Sequence, residues 1–443
     1  MNHNISRNVK HTEQPYELIS RSLNTVKGWA IVWIVAYHLM GNTQGYLDFS
    51  ETAAALTAGG IKNIGIKNTV AAALEIFISA GSAGVNVFLV ISGFGLTASW
   101  WRRYGAKDTG SKTASSMPLV AFWQKRIFRI FPLFWAAIVL ALVAYYIDPN
   151  FAPFGQELWQ ADPWSVMTAL LATFTTLRNF IPDYYYFLNG AWWYIGLSLQ
   201  LYFIFPLLIR LGQAWGWPKL LLRALLFSLA YRTVCSFLLI GQIEDFSTTV
   251  AFAFFPARLF EFVFGMYIAM AVIQPAGKST SCSVNKTKPS HLTLYKGTEQ
   301  LLFNPKYQIF NLCCFATGLA FSWIDHPVLH IFQEVFLTVG LFCGLICLSQ
   351  INLSNFNFRF LHFLARAASQ IVEKGVGKYS YGIYLTHMNV YLVLWAIATP
   401  LIPFYWPRFV VVTFTCCAIG IGFEAGFNQI QRRLKQTRAT PNT

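Results

Sequence analysis

The segment Asn24-Thr-Val-Lys-Gly-Trp-Ala-Ile-Val-Trp-Ile-Val-Ala-Tyr-His-Leu-Met40 combines a basic residue, an apolar run and a histidine. Lys27 stands near its start, and His38 follows eleven residues later. On a helix that rises ~1.5 Å per residue, these two residues lie roughly 16 Å apart. Because the hydrocarbon core of a bilayer is about 30 Å thick, the pattern places Lys27 at one membrane surface and His38 near mid-bilayer. An ionisable side chain at that depth is a functional candidate, although a histidine satisfied by a neighbouring helix explains the segment equally well.

The composition of the whole chain indicates a membrane protein. Of its 443 residues, 55% are hydrophobic, 17% are aromatic and 12% are charged, whereas soluble domains carry about 25% charged residues. Ten apolar runs are candidate membrane spans, and they lie at residues 25–42, 84–101, 127–147, 191–211, 220–240, 250–273, 307–324, 328–349, 379–399 and 407–428. We therefore predict an all-α polytopic bundle of about ten transmembrane helices.

The distribution of charge predicts the orientation of this bundle. Most of the 33 Lys and Arg residues fall in alternate segments between the spans, and acidic residues predominate in the others. Cytoplasmic loops of membrane proteins are enriched in Lys and Arg, so both termini are predicted to be cytoplasmic. The net charge of +15 then marks the cytoplasmic face and its membrane lipids, and it is not a nucleic-acid footprint.

The same pattern predicts the organisation outside the spans. A cytoplasmic tail covers residues 1–23, the membrane domain covers 24–430, and a basic cytoplasmic tail covers 431–443. The polar segment 274–306 is predicted to be a cytoplasmic loop without fixed structure. The outer segments 43–83 and 148–190 are predicted to carry interfacial helices.

The eight cysteines give no sign of a metal site or a disulfide framework. All but Cys282 fall in apolar runs, and no pair has the C-x-x-C spacing of a zinc site. We interpret them as small buried hydrophobic residues and predict no metal centre.

Several polar residues interrupt the apolar runs at similar depths. His38, Ser92, Gln200, Arg258 and His387 each lie eight to eleven residues from one end of a run, which corresponds to ~12–16 Å along a helix. A shared layer predicts one polar cavity lined by several helices. Around Ser92, however, the small residues also permit close helix packing, which is an alternative explanation.

Two pairs of charged residues have the i, i+3 spacing that places both side chains on one helix face. Arg258 and Glu261 form either a buried ion pair that holds helices in register or a contact for an anion or a sugar. Arg126 and Arg129, at the start of the third span, form either a bidentate phosphate clamp or ordinary positive-inside anchors.

Six segments, in order along the chain, resemble the acyltransferase 3 family of integral membrane O-acyltransferases. Lys27-x10-His38 is similar to the family's Arg-x10-His signature, and Gly84–Phe94 to its Gly-Val-Asp-Leu-Phe-Phe-Val-Leu-Ser-Gly-Phe segment. The remaining similar segments are Arg126–Trp135, Trp193–Pro206, Arg258–Gly265 and Tyr379–His387. Three departures stand out: Lys27 replaces Arg, Asn86 replaces Asp, and Ser198-Leu199 replaces a common acidic pair.

The resemblance implies an enzyme that moves an acyl group, commonly acetyl, from cytoplasmic acyl-CoA to a hydroxyl of a carbohydrate or a lipid-linked glycan. Acyl-CoA is then a co-substrate, no cofactor is bound, and a bacterial inner membrane is the expected location. His38 is expected to be the general base, with Lys27 as its catalytic partner, because a neutral imidazole can take the hydroxyl proton. An acyl-histidine intermediate is a less favoured variant.

The resemblance also implies two groups of binding residues. Lys27, Arg126 and Arg129 are expected to hold the acyl-CoA. The expected acceptor and cavity residues are Asn86, Ser92, Trp193, Gln200, Tyr202, Arg258, Glu261, Tyr384 and His387.

Two other functions stay open from the sequence. A transporter or flippase with a polar site at the membrane midplane would also need intramembrane His, Arg and Glu residues. A catalytically inactive sensor or scaffold on the same fold is compatible with the substitutions at Lys27 and Asn86.

Overall fold

A computed structural model of the chain describes residues 15–44, 74–105, 117–239, 253–273, 290–324, 326–349 and 370–439. Within these residues the structure is helical and contains no strand. The ten long helices are α1 Pro15–Gln44, α2 Gly84–Trp100, α3 Leu119–Ile147, α4 Trp193–Trp215, α5 Trp217–Val234, α6 Phe255–Ile273, α7 Gln308–Trp323, α8 Pro327–Ser349, α9 Ser380–Leu401 and α10 Tyr405–Ala439. The predicted all-α polytopic bundle is confirmed.

Each of the ten predicted runs corresponds to one of these helices. Among the described residues, eight helical segments are long and apolar enough to cross a membrane: Leu74–Tyr104, Leu119–Ile147, Gly190–Trp215, Trp217–Phe237, Phe255–Ile273, Pro327–Ser349, Ser380–Leu401 and Tyr405–Thr437. The other two runs lie in α1 and in α7, an apolar helix of 16 residues. Which side of the membrane the termini face stays a prediction.

Shorter helices fill two segments between the spans. Pro163–Phe174 is a helix whose N-cap is Asp162, and Trp164 and Leu171 on it are exposed. The predicted interfacial helix therefore exists as a helix, and its place at the membrane surface stays a prediction. Ser290–Phe303 is also helical, so the prediction of a loop without fixed structure is wrong for that part of 274–306. The rest of that loop, 274–289, and most of 43–83 lie outside the described residues.

Helix α1 lies at the centre of the bundle, where it packs against α2, α8, α9 and α10. Its first ten residues extend the helix ahead of the apolar run that begins at residue 25, and Ile19 and Ser22 are buried in this part. Helices α2 and α6 approach very closely through Gly93 and Gly265, where any larger side chain would collide with backbone of the partner helix. Small residues allow this contact, as is common between membrane helices.

The segment between α3 and α4 folds around a buried arginine. The guanidinium of Arg178 is 1% exposed and donates hydrogen bonds to the backbone carbonyls of Tyr185, Phe187 and Asn189. Asn189 donates in turn to the Asn389 side chain on α9 at 2.9 Å. Burial lowers the pKa of Arg178 to about 10, and the ring of carbonyl oxygens compensates the charge at pH 7. The Asn189–Asn389 hydrogen bond thereby holds this segment against α9.

Six of the seven described cysteines are buried and all seven are free. Cys313 is the exposed one, which differs from the prediction that they would all be buried. Cys282 lies outside the described residues.

Candidate active site

A cavity of about 750 Å³ opens between α1, α2, α3, α4, α9 and α10. Its mouth is basic. Five Lys and Arg residues line it, and among the lining residues one carboxylate accompanies them; these residues are Lys27, Arg103, Arg126, Arg129, Lys378 and Glu424. Such an excess of positive charge in a concave surface attracts an anionic ligand.

Arg126 and Glu424, at this mouth, differ in their hydrogen bonds. The Nε atom of Arg126 is buried without a hydrogen-bond partner, while its guanidinium lies 5.4 Å from the centre of the Phe122 ring. Buried donors normally have a partner, so the Nε–H of Arg126 is a hydrogen-bond donor that no protein group among the described residues satisfies. Glu424 instead accepts a hydrogen bond from the Gly382 amide at 2.7 Å, which joins α10 to the first turn of α9.

The deep end of the cavity is mostly apolar and ends near two histidines. Ile34 of α1 and Tyr384 of α9 line this end. His38 follows Ile34 by four residues and His387 follows Tyr384 by three, so each imidazole lies about one helical turn beyond the lining. The centres of the His38 and His387 rings are 5.3 Å apart. Two helices distant in sequence therefore bring their histidines together.

His387 has a defined hydrogen-bonding state. It is fully buried, and its Nδ1 lies 2.7 Å from the carbonyl oxygen of Tyr384. A carbonyl only accepts hydrogen bonds, so Nδ1 carries the proton and Nε2 carries the lone pair. That Nε2 atom is buried and has no partner.

On the side away from the cavity, α1 reaches the protein surface. Asn42, one turn beyond His38, is exposed. Its amide donates to the His38 carbonyl at 2.8 Å and to the Tyr391 hydroxyl at 2.6 Å. His38 itself is half-buried. It therefore lies between the cavity on one side and an exposed turn of α1 on the other.

A second polar group joins α2, α5, α6 and α8. Arg232 and Glu261 form a buried ion pair of 2.6 Å with exposures of 1% and 0%. Arg258 pairs with Glu334 at 2.9 Å, and Asn86 contacts both of these residues. Arg258 also lies 3.7 Å from Glu261, which confirms that the two residues share a helix face. None of these side chains is among the cavity lining.

Gln200 and Trp193, which were expected at the cavity, contact other parts of the structure instead. The side-chain oxygen of Gln200 accepts a hydrogen bond from the Phe255 amide at 3.2 Å, at the start of α6. The Trp193 carbonyl accepts one from Asn179 at 2.7 Å, and its ring packs beside Tyr185. Both residues connect structural elements and lie outside the lining.

Residues 20–424 match the family described as "Acyltransferase domain". The chain belongs to this family. Neither the curated proteins nor the solved structures include a match. The predicted resemblance to the acyltransferase 3 family is thus confirmed, and the protein is a multi-pass membrane acyltransferase.

The structure of the acyltransferase divides the expected site residues into two sets. Lys27, Ser92, Arg126, Arg129, Tyr202 and Tyr384 line the cavity, and His38 and His387 adjoin its deep end. Asn86, Trp193, Gln200, Arg258 and Glu261 are not part of that lining. The common depth of Gln200 and Arg258 therefore does not bring them into this cavity, and Asn86, Trp193 and Glu261, which the resemblance placed there, also lie outside its lining.

Sequence reasoning also missed lining residues of the acyltransferase. These are Arg103, Tyr194, Lys378, Tyr381 and Glu424. A signal existed for Glu424, which is the single acidic residue of the last apolar run, 407–428. An isolated carboxylate in such a run marks a helix face turned away from lipid.

Proposed function

We propose that this acyltransferase moves an acetyl or similar acyl group from acyl-CoA to a hydroxyl of a carbohydrate or lipid-linked glycan, in a bacterial inner membrane. The observation that carries the proposal is the continuous path from a basic mouth to within one helical turn of the paired histidines. A soluble, phosphorylated acyl donor fits the mouth, and its thioester end fits the apolar interior.

Donor binding is assigned to the mouth. Lys27, Arg126 and Arg129 supply positive charge, and Arg126 has an unpartnered buried Nε atom. Arginine binds phosphate oxygens bidentately, which suits the phosphates of CoA. The pantetheine arm would then extend past Ser92 and Tyr202 toward Tyr384, which all line the cavity.

The chemical step is assigned to His38. The acceptor oxygen attacks the thioester carbonyl carbon while His38 takes the hydroxyl proton. The C–S bond breaks, the electron pair leaves on sulfur, and the proton passes from His38 to the thiolate. His38 returns to its neutral state, and the products are the O-acyl ester and free CoA.

The acceptor would approach His38 from the side opposite the basic mouth of the cavity. Asn42 is exposed on the turn beyond His38, so a hydroxyl arriving there meets the imidazole from the side away from the donor. Entry from two ends explains how a donor from one compartment can modify a glycan in the other. The predicted orientation, with the basic mouth facing the cytoplasm, gives this direction of transfer.

The test supplies acetyl-CoA labelled in the acetyl group to membranes that contain wild-type protein or His38→Ala. We expect label on glycan with the wild type and a loss of about 10²–10⁴-fold in rate with the variant. His326→Ala is the matched control, since His326 is exposed and is not among the residues that line the cavity.

Two outcomes contradict the proposal. Solute movement without any transfer of label by the wild type favours a transporter or flippase. Near-normal transfer by a correctly inserted His38→Ala protein removes His38 from the chemistry.

A further inference from the structure

We infer that His387 is a second functional histidine, which accepts a hydrogen bond from His38 at Nε2 and thereby orients the His38 lone pair toward the acceptor hydroxyl. This inference rests on the proposed function of His38. It assigns His387 a positioning role through its Nε2 atom.

The first support is the fixed state of the His387 ring. Nδ1 donates to the Tyr384 carbonyl at 2.7 Å, so Nε2 can only accept a hydrogen bond. This Nε2 is buried without a partner. Leaving a buried acceptor unsatisfied costs stability, and such an atom in a native structure calls for an explanation.

The second support is the distance between the rings. Their centres lie 5.3 Å apart. Each ring nitrogen is about 1.1 Å from its centre, so nitrogens aimed at each other would be about 3.1 Å apart, which is a hydrogen-bond length. The terminal torsion of histidine is broad, and therefore a modest rotation of the His38 ring is enough to form this bond.

The third support is the kind of group that surrounds the pair. The Tyr37 ring contacts His38, the Tyr384 and Tyr391 rings contact His387, and the Cys416 thiol lies against the His387 carbonyl. None of these groups is charged at pH 7. In a Ser-His-Asp triad a carboxylate holds the histidine base in the required tautomer; among these contacts, the His387 Nε2 lone pair is the acceptor suited to do so for His38.

The proton balance of this arrangement is simple. One nitrogen of His38 keeps its hydrogen and donates it to His387 Nε2. The other nitrogen takes the proton of the acceptor hydroxyl and later gives it to the leaving thiolate. His387 ends the cycle as it began, with Nδ1 protonated and Nε2 unprotonated.

Two amide variants of His387 separate this role from a structural one. In His387→Asn the side-chain amide replaces the Nδ1 group and keeps the bond to Tyr384, but nothing replaces Nε2. In His387→Gln the longer side chain places its carbonyl oxygen near the position of Nε2. A positioning role through Nε2 predicts that Gln retains activity, whereas a purely structural role of the bond to the Tyr384 carbonyl predicts that Asn does.

The measurement is the rate of label transfer from labelled acetyl-CoA, with purified or membrane-embedded full-length protein, over a range of acetyl-CoA concentrations. We expect kcat of His387→Asn to fall by about 10²-fold or more, as for loss of an acid–base element. His387→Gln is expected to stay within about tenfold of the wild type, and KM for acetyl-CoA to remain within about twofold in both variants, because the basic mouth is unaltered.

The inference is overturned if kcat of His387→Asn equals or exceeds that of His387→Gln, with equal amounts of inserted protein. Its failure is distinct from failure of the proposed function. If the wild type transfers label and His38→Ala does not, the proposed function stands whatever the order of the two His387 variants. If the wild type transfers no label, the proposed function fails, and the inference fails with it.

Discussion

Replacing Glu261 with glutamine should destabilise the protein by about 3–5 kcal/mol, because it breaks a buried ion pair and leaves one partner charged. The size of this destabilisation follows from the charges next to Glu261. Arg232 is 1% exposed and has Glu261 as its carboxylate partner at 2.6 Å. Arg258 also lies 3.7 Å from Glu261 but keeps Glu334 at 2.9 Å. One cation, not two, therefore loses its counter-charge.

The assay is reversible unfolding of detergent-solubilised protein, followed by tryptophan fluorescence. Glu157→Gln is the control, since Glu157 is exposed, and its free energy of unfolding should change by less than about 0.5 kcal/mol. The double variant Arg232→Met/Glu261→Met should recover most of the loss, because no buried charge is left unpaired. A loss below about 1 kcal/mol in Glu261→Gln would refute the reasoning and would show that water reaches this group.

Three more perturbations have defined outcomes. Gly93→Ala places a methyl group against backbone of α6 and should lower the free energy of unfolding by about 1–3 kcal/mol, whereas Gly95→Ala, with open space around it, should change it far less. Arg126→Ala should raise KM for acetyl-CoA by about 10-fold or more, as expected when a charged hydrogen bond is lost; unchanged KM would remove Arg126 from donor binding. Hydrogen bonds from the Ser165 side chain and amide lower the pKa of Asp162. The stabilisation of the helix Pro163–Phe174 by the Asp162 carboxylate is therefore present above the unfolded pKa of about 3.9 and is lost as the pH falls through the folded pKa. Faster hydrogen exchange of the backbone amides in the first turn of this helix would report the loss.

The helices could be predicted because the signal for a membrane span is strong and local. Within the described residues, each of the ten apolar runs corresponds to a helix, and a break separates α7, which ends at Trp323, from α8, which begins at Pro327, as expected. The ends of the helices were harder to predict. Helix α1 begins at Pro15 and α10 continues to Ala439, because polar residues at helix ends pack against other helices or face water, and hydropathy does not distinguish them from loops.

The site was predicted only in part, because sequence depth gives the height of a residue in the membrane and not the direction of its side chain. Asn86 and Ser92 illustrate this on one helix. They are six residues apart, which corresponds to about 120° around the helix axis. Ser92 lines the cavity while Asn86 contacts Arg258 and Glu334. Which face of α2 meets the cavity depends on its packing against α6, and that packing is not encoded in the apolar pattern alone.

Helix α10 is longer than a bilayer is thick, which determines how the basic mouth of the cavity meets its surroundings. Its 35 residues extend ~52 Å, against about 30 Å of hydrocarbon. Tyr405 and Trp406 at its start suit one membrane interface. Asn428 and Gln431, which border the mouth, are then ~34 Å or more further along, level with or past the opposite headgroups. Under the proposed function, the acyl donor would then enter and the spent CoA would leave directly from bulk solution, so soluble nucleotides should compete for entry and the lipid tails should take no part in loading.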